Sequence, residues 1–223
     1  MATIESYGRP QRLYRYRSLE HIERELDPIR RGYLFCSPHM KLNDPMEGLF
    51  APSSHFRESI NYPVIRNAIR ENKAGIGLCS FSEVCDHVLM RAHYADQFRG
   101  ICIAYSLSRL LKNLGPEISF VRMYYNEVVP TVHRSSRKPD QLAKMVLSYK
   151  NHRWLHEREW RMFARPGKVR YHSTDCVTRV YLGSRISAAN RDRIRSALDD
   201  LSIKIREMSI GEYSIRFRVP SSN

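Results

Sequence analysis

The sequence predicts an α+β fold: a single domain with a mixed, mainly antiparallel sheet and flanking helices. Three observations lead there. Short runs rich in aromatic and β-branched residues recur along the chain, as half-buried strands require. Segments with apolar residues at helical spacing fall between some of these runs but not all, so the pattern lacks the strict alternation of βαβ units. Neither Gly-x-Gly-x-x-Gly nor a phosphate loop occurs, which argues against a conventional nucleotide fold. A chain of 223 residues can bury a sizeable core. Residues 1–12, polar and holding Gly8 and Pro10, read as a flexible lead-in, and residues 13–219 as the domain.

Taken in order, Leu13-Tyr14-Arg15-Tyr16-Arg17 suits a strand with both tyrosines on one face. Ser18 stands where a helix N-cap belongs, ahead of Leu19, Ile22, Leu26 and Ile29 at helical spacing. Pro28 is expected to end or bend that helix, and Gly32 to stop it. A strand follows at 33–37, then a turn around Asn43-Asp44-Pro45, which reads either as a fixed loop with a buried Asp or as a ligand contact. A helical pattern over 53–73, interrupted near Pro63, leads to a strand at 75–82. There Ser80 and Ser82 share a face with Ile76 and Leu78. Next come a helix at 86–97, a continuously apolar central strand at 101–105, a helix at 106–114 and a strand at 118–125. Residues 126–140, with Arg134, Ser135 and Ser136, read as a loop, followed by a helix at 140–150. The rest is a strand at 177–182, a helix at 187–201, and strands at 203–208 and 213–219.

The formal net charge of +14 raises the local concentration of polyanions and makes nucleic acid a candidate partner. No apolar run is long enough to span a membrane, and the N-terminus lacks a basic region followed by an apolar one, so a cytoplasmic protein is expected. The five cysteines are scattered, as in a reduced set. Cys36, His39, Cys85, His87 and His93 match no zinc spacing, and no metal is expected.

The chemistry concentrates in Trp154-Leu155-His156-Glu157-Arg158-Glu159-Trp160-Arg161. Read as the start of a strand, it places Glu157 and Glu159 on one face, with Trp160 and Met162 on the other. Two like charges so placed raise one pKa unless a cation or a ligand answers them. Flanking Arg158 and Arg161, or distant lysines and arginines, would answer them on a solvated edge.

Several motifs stand in an order that resembles the domain of unknown function 2971 family of bacteria. They are Tyr14-Arg15-Tyr16-Arg17-Ser18, Asn43-Asp44-Pro45-Met46-Glu47, Ser80-Phe81-Ser82-Glu83, His93-Tyr94-Ala95-Asp96-x-x-x-Gly100 and Trp154-x-x-Glu157-x-Glu159-Trp160-Arg161. The likeness covers residues 13–219 and implies no activity. A looser likeness is to ADP-ribosyltransferases that carry an arginine on a first strand, a Ser-x-Ser strand and a Glu-x-Glu motif. Arg15, Ser80-Phe81-Ser82 and Glu157-x-Glu159 stand in that order, with Phe81 where that class has Thr. This likeness implies NAD as substrate. Glu159 would bond the ribose hydroxyl, Glu157 would orient or deprotonate the acceptor, and Arg15 would grip the pyrophosphate. Ser80, with Ser82 in the same motif, would hold Glu159, and Tyr94 or Phe98 would stack on nicotinamide. Asn43, Asp44, Glu47 and Arg161 are further candidates for the site. Two other readings stand beside it. One is a nucleic-acid-binding module whose tyrosines at 14 and 16 stack on bases. The other is a nuclease holding a divalent ion between Asp44, Glu47, Glu157 and Glu159.

Overall fold

The computed structural model describes residues 8–133 and 137–219. The lead-in before Gly8 and the loop positions Arg134, Ser135 and Ser136 lie outside the described residues. Strands and helices in chain order are β1 (Arg12–Arg17), α1 (Ile22–Arg31), β2 (Tyr33–Pro38), β3 (Ala51–Pro52), α2 (Ser54–Arg57), α3 (Tyr62–Ala74) and β4 (Gly77–Ser82). Then come α4 (Val88–Tyr94), β5 (Ile101–Ser106), α5 (Leu107–Asn113), β6 (Ser119–Arg122), β7 (Tyr124–Asn126), β8 (Thr131–Val132) and α6 (Pro139–Val146). The last are β9 (Tyr149–Asn151), β10 (Glu159–Ala164), β11 (Gly167–Arg170), β12 (Val177–Leu182), α7 (Ala188–Leu198), β13 (Lys204–Gly211) and β14 (Ser214–Arg218). The class is α+β, and strand pairing is mixed and mainly antiparallel. The chain forms two compact units.

Unit one draws on Met1–Gly32, Ser82–Leu114 and Tyr171–Asn223. β5 is its central strand, as its unbroken apolar run predicts, antiparallel to β1 on one side and β12 on the other. β12 pairs in parallel with β13, which makes a hairpin with β14. One face of β1 and β5 presents Tyr14, Tyr16, Cys102 and Ala104 to a cluster with Met90, Ala95 and Tyr181. Tyr16 donates its hydroxyl to Val84 O at 2.8 Å, and Tyr14 lies 6.2 Å from the Tyr181 ring. The tyrosines therefore share a face as expected. On that face Tyr16 is buried and Tyr14 is half-buried against the cluster.

The first helix starts later than its sequence suggests. Ser18 Oγ accepts from Glu20 N at 3.2 Å in a local turn, and His21 is the N-cap. The helix continues through Pro28 to Arg31, and Gly32, at φ 65°, supplies the left-handed stop. Arg17 forks onto Glu25, with Nη2 to Oε1 at 2.6 Å.

α4 is shorter than the expected 86–97 helix. Asp96, Gln97 and Phe98 turn left-handed, with φ of 44°, 49° and 73°. Within α4 the fully buried side chain is Arg91. Its guanidinium donates to Tyr181 O at 3.3 Å and Cys85 O at 3.0 Å, and packs over the rings of Tyr16 and Phe217.

Unit two comprises Tyr33–Phe81 and Gly115–Arg170. Its strands pair in the order β11-β2-β4-β10-β6, with small parallel ladders β3–β8 and β7–β9. The expected strand over 118–125 is two strands, β6 and β7, broken at Met123. The interrupted helix is likewise two: α2 capped by Ser53, and α3 with Pro63 in its first turn, where proline costs no hydrogen bond. The core gathers Phe56, Ile69, Leu78, Val132, Val146 and Phe163 among others. Among the described residues, no helix is long and apolar enough to cross a membrane.

Candidate functional site

Unit two buries a five-membered ion cluster made by Glu47, Lys150, Glu157, Glu159 and Arg161. The chain between β9 and β10 brings three of them together. Asn151 caps a 3-10 turn over His152–Glu157, its side chain accepting from Arg153 N at 3.0 Å. Arg158 then reverses the backbone in the left-handed region at φ 46°. Glu157 thus ends a turn and Glu159 begins a strand, so they do not occupy one strand face as the spacing suggested. The reversal still aims both at Lys150. Arg161, two residues along β10 from Glu159, shares its face.

Glu47 arrives from the loop before β3. Asp44 stabilises that loop, its Oδ1 accepting from Met46 N at 2.9 Å. Gly48 follows at φ 75°, a left-handed position suited to glycine, and its carbonyl accepts from Lys73 Nζ at 2.6 Å. Asp44 is buried in this turn, as expected, while Asn43 is exposed.

Lys150 Nζ lies 3.2 Å from Glu47 Oε1 and 3.1 Å from Glu159 Oε2, and also contacts Glu157 Oε2. Arg161 Nε donates to Glu159 Oε1 at 2.7 Å, Nη1 to Leu147 O at 2.9 Å, and Nη2 to both Glu159 and Glu47. Glu157 and Glu159 are each 3% exposed and Arg161 is 0% exposed. Neutralisation of the paired acids therefore takes place in the interior, not on a solvated edge. Glu159 is fixed further by its own amide, which donates to Tyr125 Oη at 2.7 Å. Ser80 hydrogen-bonds the Glu159 carboxylate and is itself exposed.

Burial alone would raise the Glu159 pKa. Arg161 first, then Lys150, with hydrogen bonds from Arg161 and Ser80, override it and hold the carboxyl down at about 2. Glu47 moves the other way, because burial outweighs Arg161 and Lys150 and the Glu159 charge adds to the rise. Burial pulls Lys150 down, but Glu159, Glu47 and Glu157 together carry it above its ordinary value.

The pH dependence follows from these directions. Glu159, depressed from 4.5, stabilises the fold above pH 4.5 and loses that contribution as pH falls towards 2. The amount is on the order of 3 kcal/mol. Glu47 acts oppositely: its raised pKa favours the fold at low pH, an advantage lost as pH rises through its folded value. Acid unfolding followed by circular dichroism is expected to be shallower in Glu159→Gln than in the wild type. Equal slopes would show that Glu159 is not ionised against its partners.

Beside the cluster, Lys150 borders a pocket of about 120 Å³. Asn126, Tyr149 and Asn151 line it, with Met46, Leu49 and Val129 among its apolar residues. The parallel β7–β9 ladder sets Asn126 next to Asn151. Met46, Leu49, Val128 and Val129 are 44–68% exposed, an apolar lip around a polar floor. The volume admits about one flat ring.

Comparison with known proteins finds no match: no family model fits, and no curated protein or solved structure matches the chain.

Of the residues singled out in the sequence, Glu47, Ser80, Glu157, Glu159 and Arg161 meet in unit two. Arg15, Ser82 and Tyr94 belong to unit one. Arg15 lies opposite Ile103 in β1, Ser82 is buried with Oγ accepting from Val84 N at 3.3 Å, and Tyr94 packs beside the Tyr16 cluster. Ser80, expected on a buried face, is exposed, although Leu78 and Ser82 on the same face of the strand are buried.

Lys150 escaped the sequence reading, which placed it at the end of a helix. That helix stops at Val146, and Tyr149–Asn151 is a strand. Its ammonium stands among three of the four carboxylates expected to hold a divalent ion. Among the described residues, no group of three or more His, Cys, Asp or Glu side chains is arranged to hold a metal.

Proposed function

We propose that unit two carries an NAD-consuming site, acting as an ADP-ribosyltransferase or NAD glycohydrolase, with Glu159 and Glu157 as its acids. The observation that carries this reading is the contact of the exposed Ser80 hydroxyl with Glu159, two residues from Glu157. It is the pairing that the likeness to ADP-ribosyltransferases implies. Breaking the nicotinamide–ribose bond sends the bonding electrons to nicotinamide and leaves positive charge on the ribose. Three carboxylates against two cations favour that charge, and a site arranged beforehand needs little reorganisation to meet it.

The four donors on Glu159 fill its acceptor capacity. A ribose hydroxyl therefore binds by replacing Ser80, the exposed donor of the four. Arg161 and Lys150 keep Glu159 ionised throughout. Glu157 orients the acceptor. The one-ring pocket beside Lys150 suits nicotinamide, with Asn126 and Asn151 facing its carboxamide.

The experiment is nicotinamide release from NAD by the purified chain. Release is expected in the wild type and loss in Glu159→Gln. Ser80→Ala, an exposed change that spares the buried ions, is expected to alter KM for NAD while the melting temperature holds. Absence of release, together with no shift in melting temperature on adding NAD, would remove the proposal.

A further inference from the structure

Unit one gathers cations at one end of its sheet, and strand register explains why. β1 begins at Arg12, directly opposite Ser106 at the end of β5. β12 begins beside the same end of β5, with Val177 opposite Tyr105 and Arg179 opposite Ala104. Thr178 is therefore the extra residue of a bulge, and its hydroxyl donates to Ala104 O at 3.2 Å. Bulges re-aim neighbouring side chains and recur beside functional sites. The parallel β12–β13 pairing then sets Lys204 next to Arg179. With strands about 4.8 Å apart and a two-residue offset along β5, Arg12 and Arg179 stand about 12 Å apart, and Lys204 about 5 Å from Arg179.

Two clefts, of about 520 and 470 Å³, open at this end and share Arg12, Arg109 and Thr178. Arg9 joins the first, and Arg179 and Lys204 the second. Two carboxylates, Asp175 and Asp200, face the five cations. Asp175 is engaged by Arg109, at 3.5 Å to Oδ2 and 2.8 Å to the backbone oxygen. Among the described residues, Arg9, Arg12 and Lys204 have no acidic partner within 4.0 Å. The hydroxyls of Ser106 and Ser108, 3.2 Å apart, line the first cleft between these cations. Among the described residues, no aromatic ring lines either cleft.

We infer that this end of unit one binds the phosphodiester backbone of a nucleic acid. Guanidinium and ammonium groups spaced across four strands match a run of phosphates. Contacts to phosphate fix position without reading sequence. Little base preference follows. The inference concerns a different unit from the NAD site and stands without it.

The test is fluorescence anisotropy of the full chain with labelled oligonucleotides of about 15 residues, between about 50 and 300 mM KCl. Wild-type affinity is expected to fall with salt at a log–log slope of about −2, as for about three neutralised phosphates on a single strand. Arg12→Ala/Arg179→Ala/Lys204→Ala is expected to weaken binding at least about tenfold at low salt and to flatten the slope. Arg66→Ala/Arg70→Ala, on α3 of unit two, is expected to keep both. Circular dichroism checks that each variant folds. A flat wild-type slope, or a triple variant that binds like the wild type, would overturn the inference. So would protection of the protein by tripolyphosphate without oligonucleotide binding, which assigns the clefts to a free polyphosphate.

Discussion

Replacing Lys150 with methionine is expected to cost about 3–5 kcal/mol of folding stability, the usual range when one side of a buried ion cluster is removed. Three carboxylates lose their shared cation at once, and Arg161 reaches only two of them. Methionine keeps most of the volume, so little of the effect comes from a cavity. Glu157 is then left without its ammonium partner in a site 3% exposed. Proton uptake by the cluster then offsets part of the uncompensated negative charge. Urea unfolding at neutral pH measures the loss, and the deficit should shrink as pH falls. Adding Glu157→Gln should restore part of it, since neighbours in one network are not additive. A loss below about 1 kcal/mol would place the pair among ordinary surface ion pairs and contradict the burial described above.

Gly183→Ala is expected to lower stability by at least about 3 kcal/mol, or about 6–12 °C in Tm. A Cβ there would lie 2.0 Å from Phe98 O and 2.7 Å from Phe98 C. The opposing backbone cannot easily retreat. Asp96, Gln97 and Phe98 hold three successive positive φ values. Arg185 N also donates to Phe98 O at 3.0 Å, and Gly183 N to Gly100 O at 2.9 Å. Left-handed residues without glycine already cost about 1–2 kcal/mol each, so further displacement adds to existing strain. Gly211→Ala is the control. Nothing lies within 4 Å of its added Cβ, and a change within about 0.5 kcal/mol is expected. Calorimetry on both variants compares them directly.

The elements that sequence foretold best are those whose signal is local. Ile101–Tyr105 needs no distant information to declare itself an interior strand, and Val177–Leu182 has the bounds expected of it. Gly32 stopped its helix as anticipated, while Pro28 did not, because tertiary packing of Leu26 and Ile29 outweighs the lost hydrogen bond. The helix after Cys85 ended early because three non-glycine residues adopt a conformation that no residue preference announces.

The site divides along the same line. Glu157, Glu159 and Arg161 were visible as a spaced trio, and Glu47 as part of a turn. Their meeting was not visible, because Glu47 lies more than a hundred positions from Arg161. Lys150 was hidden by a helical pattern that breaks just before it. The basic end of unit one left no compact trace in sequence. Arg12, Arg179 and Lys204 come from three separate strands that register assembles, and Arg109 comes from α5.

The two-stranded start of unit one has a consequence for synthesis of the chain. β5 can dock on β1 soon after both leave the ribosome, but β12, which covers its other edge, follows only after about 70 residues of intervening chain. At about 5–20 residues per second that edge stays bare for about 4–14 seconds. Ile101–Tyr105 is apolar and extended, the kind of edge that captures other nascent strands. Yield in cells should therefore depend on translation speed between α5 and β12, and on holding chaperones, more than the stability of the finished fold suggests.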